Sequence, residues 1–223
     1  MDDDEVRAEA RREAAPAALV ALSVFVALAL VSKVEGWKLL GLAWWTWLLI
    51  AGPLFLLTID LLMSYRGKGL IRSRTVAVQL LALLALGNFA AVTILVAGLV
   101  TANTSELSGA ELLFTGFSIW SADVVVFGLW FWEVDAGGPA ARLRSTARTR
   151  FDLRFPQDDD DSTEWRPQVW DYIYVSLTNS IAFSPTDTLP LSLRAKAMMA
   201  FESGISAVTV LLVAARAVNV LGS

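Results

Sequence analysis

Six side chains in this sequence are of a type and at a spacing that could handle a small cation: Asp123, Asn179, Ser184, Thr186, Asp187 and Glu202. Four of them fall in or beside the stretch SLTNSIAFSPTDTLPLS, Ser176 to Ser192, where hydroxyls, an amide, a carboxylate and two prolines interrupt apolar sequence. Asp123 lies near the middle of an apolar run and Glu202 two turns into another. A carboxylate at that depth is costly, so it is expected to face other helices and to serve a function. Carboxylates with hydroxyl and amide oxygens favour cations. The rival account of Asp123 is a hydrogen-bonded carboxyl that packs helices together, and that of Glu202 is a local surface ion pair with Arg194 or Lys196. Asp60 and Arg216, near the ends of apolar runs, are expected to snorkel, and Asn88, Asn179 and Thr178 could line a polar path or bond across helices.

These groups need a scaffold, and composition points to helices in a bilayer. Hydrophobic residues make up 56% of the 223, with a mean hydropathy of +0.56. Runs near the roughly 20 residues that cross a bilayer recur at Ala17 to Val31, Leu39 to Met63, Val76 to Val100, Leu112 to Val134 and Leu193 to Val220. The first is read as a retained span rather than a signal peptide, and Gly87, Ala91 and Gly98 suit close packing of the third. The nine tryptophans read mostly as interface anchors. The expected fold is an all-α, polytopic helical membrane protein of five spans, with a short re-entrant or half-membrane helix before the last. Its parts are a charged tail (1–15), a four-helix membrane region (16–134), a charged cytoplasmic loop (135–168) and a C-terminal unit (169–223).

Charge gives the orientation. With the N-terminus in the cytoplasm, thirteen of the 18 Lys and Arg lie in inside segments and only Lys33 and Lys38 in outside loops, the bias of a cell-membrane protein. The loop after Val134 is basic from Arg142 to Arg154 and acidic from Asp158 to Glu164; it reads as solvated chain, the alternative being a basic half that lies on anionic headgroups. The sequence has neither Cys nor His, so thiolate and imidazole metal ligands, disulfides and histidine acid–base chemistry are excluded. No phosphate-binding loop is present either. No enzyme activity, metal, cofactor or nucleic-acid partner is expected; the expected partners are the lipid bilayer, a small cation and further copies of the chain.

From Trp170 onward the residues resemble the pore module of two-helix potassium-channel-like proteins. Tyr174-Val175-Ser176 stands for the Y-x-S of the pore helix and Asp187-Thr188-Leu189-Pro190 for the D-x-x-P that ends the filter. Lys196, Glu202 and Ala215-Arg216 follow at similar spacing. The resemblance implies a pore helix, a filter and an inner helix. The filter positions themselves, Ala182, Phe183, Ser184, Pro185 and Thr186, lack the family's glycines. A side-chain filter of Ser184, Thr186 and Asp187 is the expectation instead of a carbonyl-lined one. From about residue 110 to the end the chain also resembles an uncharacterised bacterial family of multi-pass membrane proteins. Trp120, Phe155-Pro156, Asp171-Tyr172-Ile173-Tyr174, Ser184 to Asp187, Arg194 and Val218-Asn219-Val220 carry that likeness, which implies a membrane fold and no activity.

A potassium-type pore places the segment before its pore helix outside, whereas the charge bias places 135–168 inside. The segment 169–193 must therefore complete a thin crossing or dip and return. Pro185 and Pro190 predict a short helix over Val169 to Phe183 that breaks at Ser184-Pro185, followed by non-helical chain from Thr186 to Pro190 against the final helix.

Overall fold

A computed structural model describes residues 12–37, 43–64, 74–101, 109–144, 152–159, 165–184 and 187–221. These residues are mostly helical: α1 (Ala15–Val34), α2 (Thr46–Ile50), α3 (Gly52–Ser64), α4 (Arg74–Thr101), α5 (Gly109–Val134), α6 (Pro139–Arg144), α7 (Val169–Ala182) and α8 (Leu193–Leu221). Three of them, over Ala15–Val34, Thr75–Ala97 and Ala110–Gly137, are long and apolar enough to cross a membrane. In the described part of the expected second span, Leu39 to Met63, two helices part at Ala51, immediately before Gly52-Pro53. Proline there removes an amide donor and crowds the preceding turn.

The centre of the bundle is α5, against which α1, α4, α7 and α8 all pack. Its apolar window is 72% buried, against 39% for those of α1 and α4. Alanine lets α1 approach closely, because Ala15, Ala18, Ala21, Phe25, Leu28, Ala29 and Ser32 recur on one face at helical spacing and are buried. The closest approach is α7 on α5. A Cβ built at Gly128 would stand 2.7 Å from Ile173 Cγ1 and 2.8 Å from Ile173 Cα, so only glycine fits. Gly128→Ala is expected to lower stability by about 1–3 kcal/mol through overpacking. Gly204→Ala, inside a helix where a Cβ would meet nothing within 4 Å, should leave it unchanged or raise it by up to about 1 kcal/mol, alanine being the better helix former; thermal midpoints in detergent compare the two.

The helices alternate in direction. Ala14 before α1, Leu57 and Leu61 late in α3, Ala77 and Leu81 early in α4, and Leu129, Trp132 and Glu133 late in α5 surround one cavity of about 10 Å³. Those ends lie together, and Arg194 at the start of α8 donates to the Val134 carbonyl at 3.2 Å. At the opposite end Trp37, just past α1, meets Phe114 of early α5 with ring centroids 5.9 Å apart. Phe127 of α5 meets Phe201 of α8 at 6.0 Å. The main helices thus run up and down in turn, and α8 leaves from the end at which α5 arrives.

The segment after α5 packs onto that end of the bundle in part, whereas solvated chain was expected. Asp135, Asp152, Leu153 and Phe155 are all buried. Leu153–Arg154 (β1) pairs antiparallel with Leu189–Pro190 (β2), in register Leu153 with Pro190 and Arg154 with Leu189. Asp2 to Glu5, Asp160 and Asp161 lie outside the described residues.

Candidate functional site

Helix α7 is set by its two ends. At the N-terminus the Gln168 amide donates to Asp171 Oδ2 at 2.7 Å in a capping box, and Glu13 accepts the Val169 amide. At the C-terminus Phe183 takes a left-handed φ of 54° and stops the helix one residue before the sequence predicts. Ser184 is exposed; Pro185 and Thr186 lie outside the described residues. Asp187 is exposed and accepts from Thr188 Oγ1 at 3.3 Å. The chain from Asp187 to Pro190 is non-helical as expected, but its partner is β1 as well as the final helix.

Both ends of this segment are tied to the same end of α5. The Tyr172 hydroxyl donates to Asp135 Oδ2 at 2.6 Å, while Asp135 Oδ1 accepts the amides of Asp152 and Leu153 at 2.8 and 3.0 Å. The Leu191 amide donates to the Asp152 carbonyl at 2.8 Å. Arg194 grips the Asp152 carboxylate with Nε at 2.6 Å and with Nη2. The two ends of segment 169–193 therefore lie at one end of the bundle. The turn that presents Asp135 needs three consecutive left-handed residues, Ala136, Gly137 and Gly138, with φ of 50°, 85° and 94°. Buried Arg142 braces it by donating to the Asp135 carbonyl at 2.8 Å and lying over the rings of Trp132 and Tyr172, 5.8 and 5.1 Å from their centroids.

Two carboxyls at this base are shifted in opposite directions. Burial pushes Glu13 above its ordinary value, against the opposing effect of the Val169 amide. Burial also pushes Asp152 upward, but hydrogen bonds from Arg194 and Ser192 and the charge of Arg194 outweigh it and hold the group below the usual carboxylate range. A lowered folded value means stabilisation that is present above the unfolded pKa of about 3.9 and lost as pH falls through the folded value. Asp152→Asn imitates the protonated state at neutral pH. It is expected to speed hydrogen exchange at the Leu191 amide, and an unchanged rate would show that the pair does not hold the cover down.

Deeper in the bundle, α4, α5, α7 and α8 bring together Asn88, Asp123, Ser176, Asn179, Glu202, Ser203 and Ser206. Asp123, Asn179 and Glu202, three of the six candidate residues, meet here; Ser184 and Asp187 are not part of the group. Asp123 is fully buried among helices, as expected. Its Oδ1 accepts from Asn88 Nδ2 at 3.3 Å and its Oδ2 from Ser206 Oγ at 3.5 Å. Glu202 is also fully buried, so the surface ion pair with Arg194 or Lys196 is overturned: Arg194 is held by Asp152, and Lys196 is exposed. Glu202 Oε2 accepts from Asn179 Nδ2 at 2.6 Å, and Oε1 contacts Ser176 Oγ. Ser176 Oγ also donates to the Val124 carbonyl, next to Asp123, at 2.7 Å, which joins the two carboxyl environments. No basic side chain among the described residues bonds to either carboxyl. The arrangement can hold a proton or a small cation between carboxyls that neutral dipoles surround.

Three further departures concern polar and aromatic residues. Asp60 does not snorkel but is fully buried. Trp47 and Trp132 are core residues rather than surface anchors, whereas Trp45 and Trp170 are exposed. Thr178 bonds to carbonyls of its own helix, Tyr174 and Val175, and not across helices. The Arg216 side chain lies outside the described residues.

Comparison of the chain with protein-family models, with curated proteins and with solved structures finds no match.

Proposed function

We propose that this chain is a multi-pass protein of the cell membrane that lets small cations pass, and that the cation is handled at the buried cluster around Asp123 and Glu202. The observation that carries this reading is the pair of fully buried carboxyls, held by Asn88, Ser176, Asn179 and Ser206, with no basic side chain among the described residues bonded to them. Structural carboxyls in an apolar interior are ordinarily paired with a cation, so a pair without one suits an exchangeable cation.

In this reading the five longer apolar stretches cross the bilayer and α7 dips from the cytoplasmic side and returns, irregular backbone being tolerated where protein or a water-filled path surrounds it. The common end of Arg12, Arg142, Arg154, Arg166 and Arg194 faces the cytoplasm by charge. Ser184 and Asp187, both exposed, form the polar approach to the cluster. Several copies assemble so that their α7 segments line a shared path. No enzyme activity or cofactor belongs to the proposal.

Purified protein in lipid vesicles should pass monovalent cations or protons above the rate of protein-free vesicles. Asp187→Asn at the approach should reduce the flux severalfold. A second reading, a non-conducting membrane scaffold, draws support from the β1–β2 cover, which fastens a charged face onto the bundle. Absence of flux from correctly folded protein would favour it.

A further inference from the structure

Three oxygens that meet between α5, α7 and α8 require two protons. Ser176 Oγ stands 2.7 Å from the Val124 carbonyl oxygen and within hydrogen-bond reach of Glu202 Oε1. Separations near 2.7 Å are typical of an O–H···O bond, so a proton lies between Ser176 and Val124. A carbonyl has none to give, and the hydroxyl has only one. Once that proton is directed at Val124, the contact between Ser176 and Glu202 needs a proton from the carboxyl.

The other oxygen of Glu202 is already served. Oε2 accepts from Asn179 Nδ2 at 2.6 Å. The same nitrogen donates to the Met199 carbonyl at 3.0 Å, and Asn179 Oδ1 accepts from Ser203 Oγ at 3.1 Å. Turning the amide over would set its oxygen against the Met199 carbonyl, so the orientation of Asn179 is fixed by its neighbours. The proton of Glu202 is therefore on Oε1.

We propose that the cation occupying this site is a proton, carried on Glu202 Oε1 and held there by the Ser176 hydroxyl oxygen, which accepts it while its own proton stays directed at the Val124 carbonyl. The proposal rests on the cation-handling reading and names its ion. The donor chemistry favours a proton over a metal cation. Metal ions require lone pairs directed at them, typically six or more oxygens for calcium, whereas the groups around Glu202 and Asp123 direct N–H and O–H bonds at the carboxyl oxygens. Among the described residues no group of three or more acidic ligands is assembled. The titratable neighbour of Glu202 is Asp123 on α5. From α7 it faces neutral Ser176 and Asn179, and on its own helix Arg194 is engaged by Asp152.

Infrared difference spectroscopy of the full chain in lipid vesicles at neutral pH, run beside vesicles that enclose a pH-sensitive dye, tests this. The wild type should show the carbonyl stretch of a protonated carboxylic acid. Glu202→Gln should lose that band, Ser176→Ala should shift it, and the dye should report proton entry that is indifferent to exchanging sodium for potassium outside. A spectrum in which Glu202→Gln removes only a carboxylate band overturns the proposal, and so does a flux of sodium or potassium with no change of internal pH. A protonated band in vesicles that pass no ion supports the proton site and overturns the transport reading on which it rests.

Discussion

Asp135→Ala is expected to lower the stability of the molecule by about 3–5 kcal/mol, since hydrogen bonds to a charged acceptor contribute roughly 1.5–3 kcal/mol each. One carboxylate there accepts three donors, the amides of Asp152 and Leu153 and the hydroxyl of Tyr172, and all three donors belong to buried residues. Its loss strands the amides, detaches β1 and frees the start of α7 together. Asp135→Asn keeps one acceptor oxygen and should fall between. Thermal unfolding in detergent, with proteolysis of the 152–159 segment as a local readout, separates the three proteins. Equal midpoints for wild type and Asp135→Ala would mean that the turn is held by other contacts.

Asn179→Leu is the second large effect, because a side chain of similar size takes away every polar group through which α7 grips α8 at this level. Its amide donates to Glu202 and to the Met199 carbonyl and accepts from Ser203. Buried groups left without partners cost about 1–3 kcal/mol each, so a total of about 2–4 kcal/mol is expected. Ser206→Ala should cost less than about 1 kcal/mol, because its bond to Asp123, at 3.5 Å, is long and weak. A reversed order of thermal midpoints for the two variants would mean that the cluster is organised around Asp123 and not around Glu202.

Asp123 could be read from the sequence because a carboxylate in the middle of an apolar run has no exposed place to go. Glu202 could be read only in part. Arg194 and Lys196 precede it on the same helix, and local spacing offers them as partners. The fold instead gives Arg194 to Asp152, 42 residues earlier in the chain, a pairing that no local period encodes. The short helix after Gln168 and its end near Ser184-Pro185 were legible from proline chemistry, as was the helical class from apolar run length.

Local sequence does not mark Asp135, because it stands at the end of an apolar run, where a carboxylate normally meets water. The signal available was Ala136-Gly137-Gly138, a sequence suited to left-handed backbone that aims Asp135 back under the bundle. The break in the second apolar run was equally available in Gly52-Pro53. Hydropathy averaged over Leu39 to Met63 conceals it, since both halves are apolar.

Whether a buried carboxyl of the cluster carries the permeating cation is decided by Glu202→Gln in proteoliposomes. Glutamine keeps the size of the side chain and an acceptor for Asn179, so the fold and thermal midpoint should be retained while the exchangeable charge is lost. Cation entry should fall at least tenfold from the wild-type rate. Entry at the wild-type rate through correctly folded Glu202→Gln protein would contradict that role.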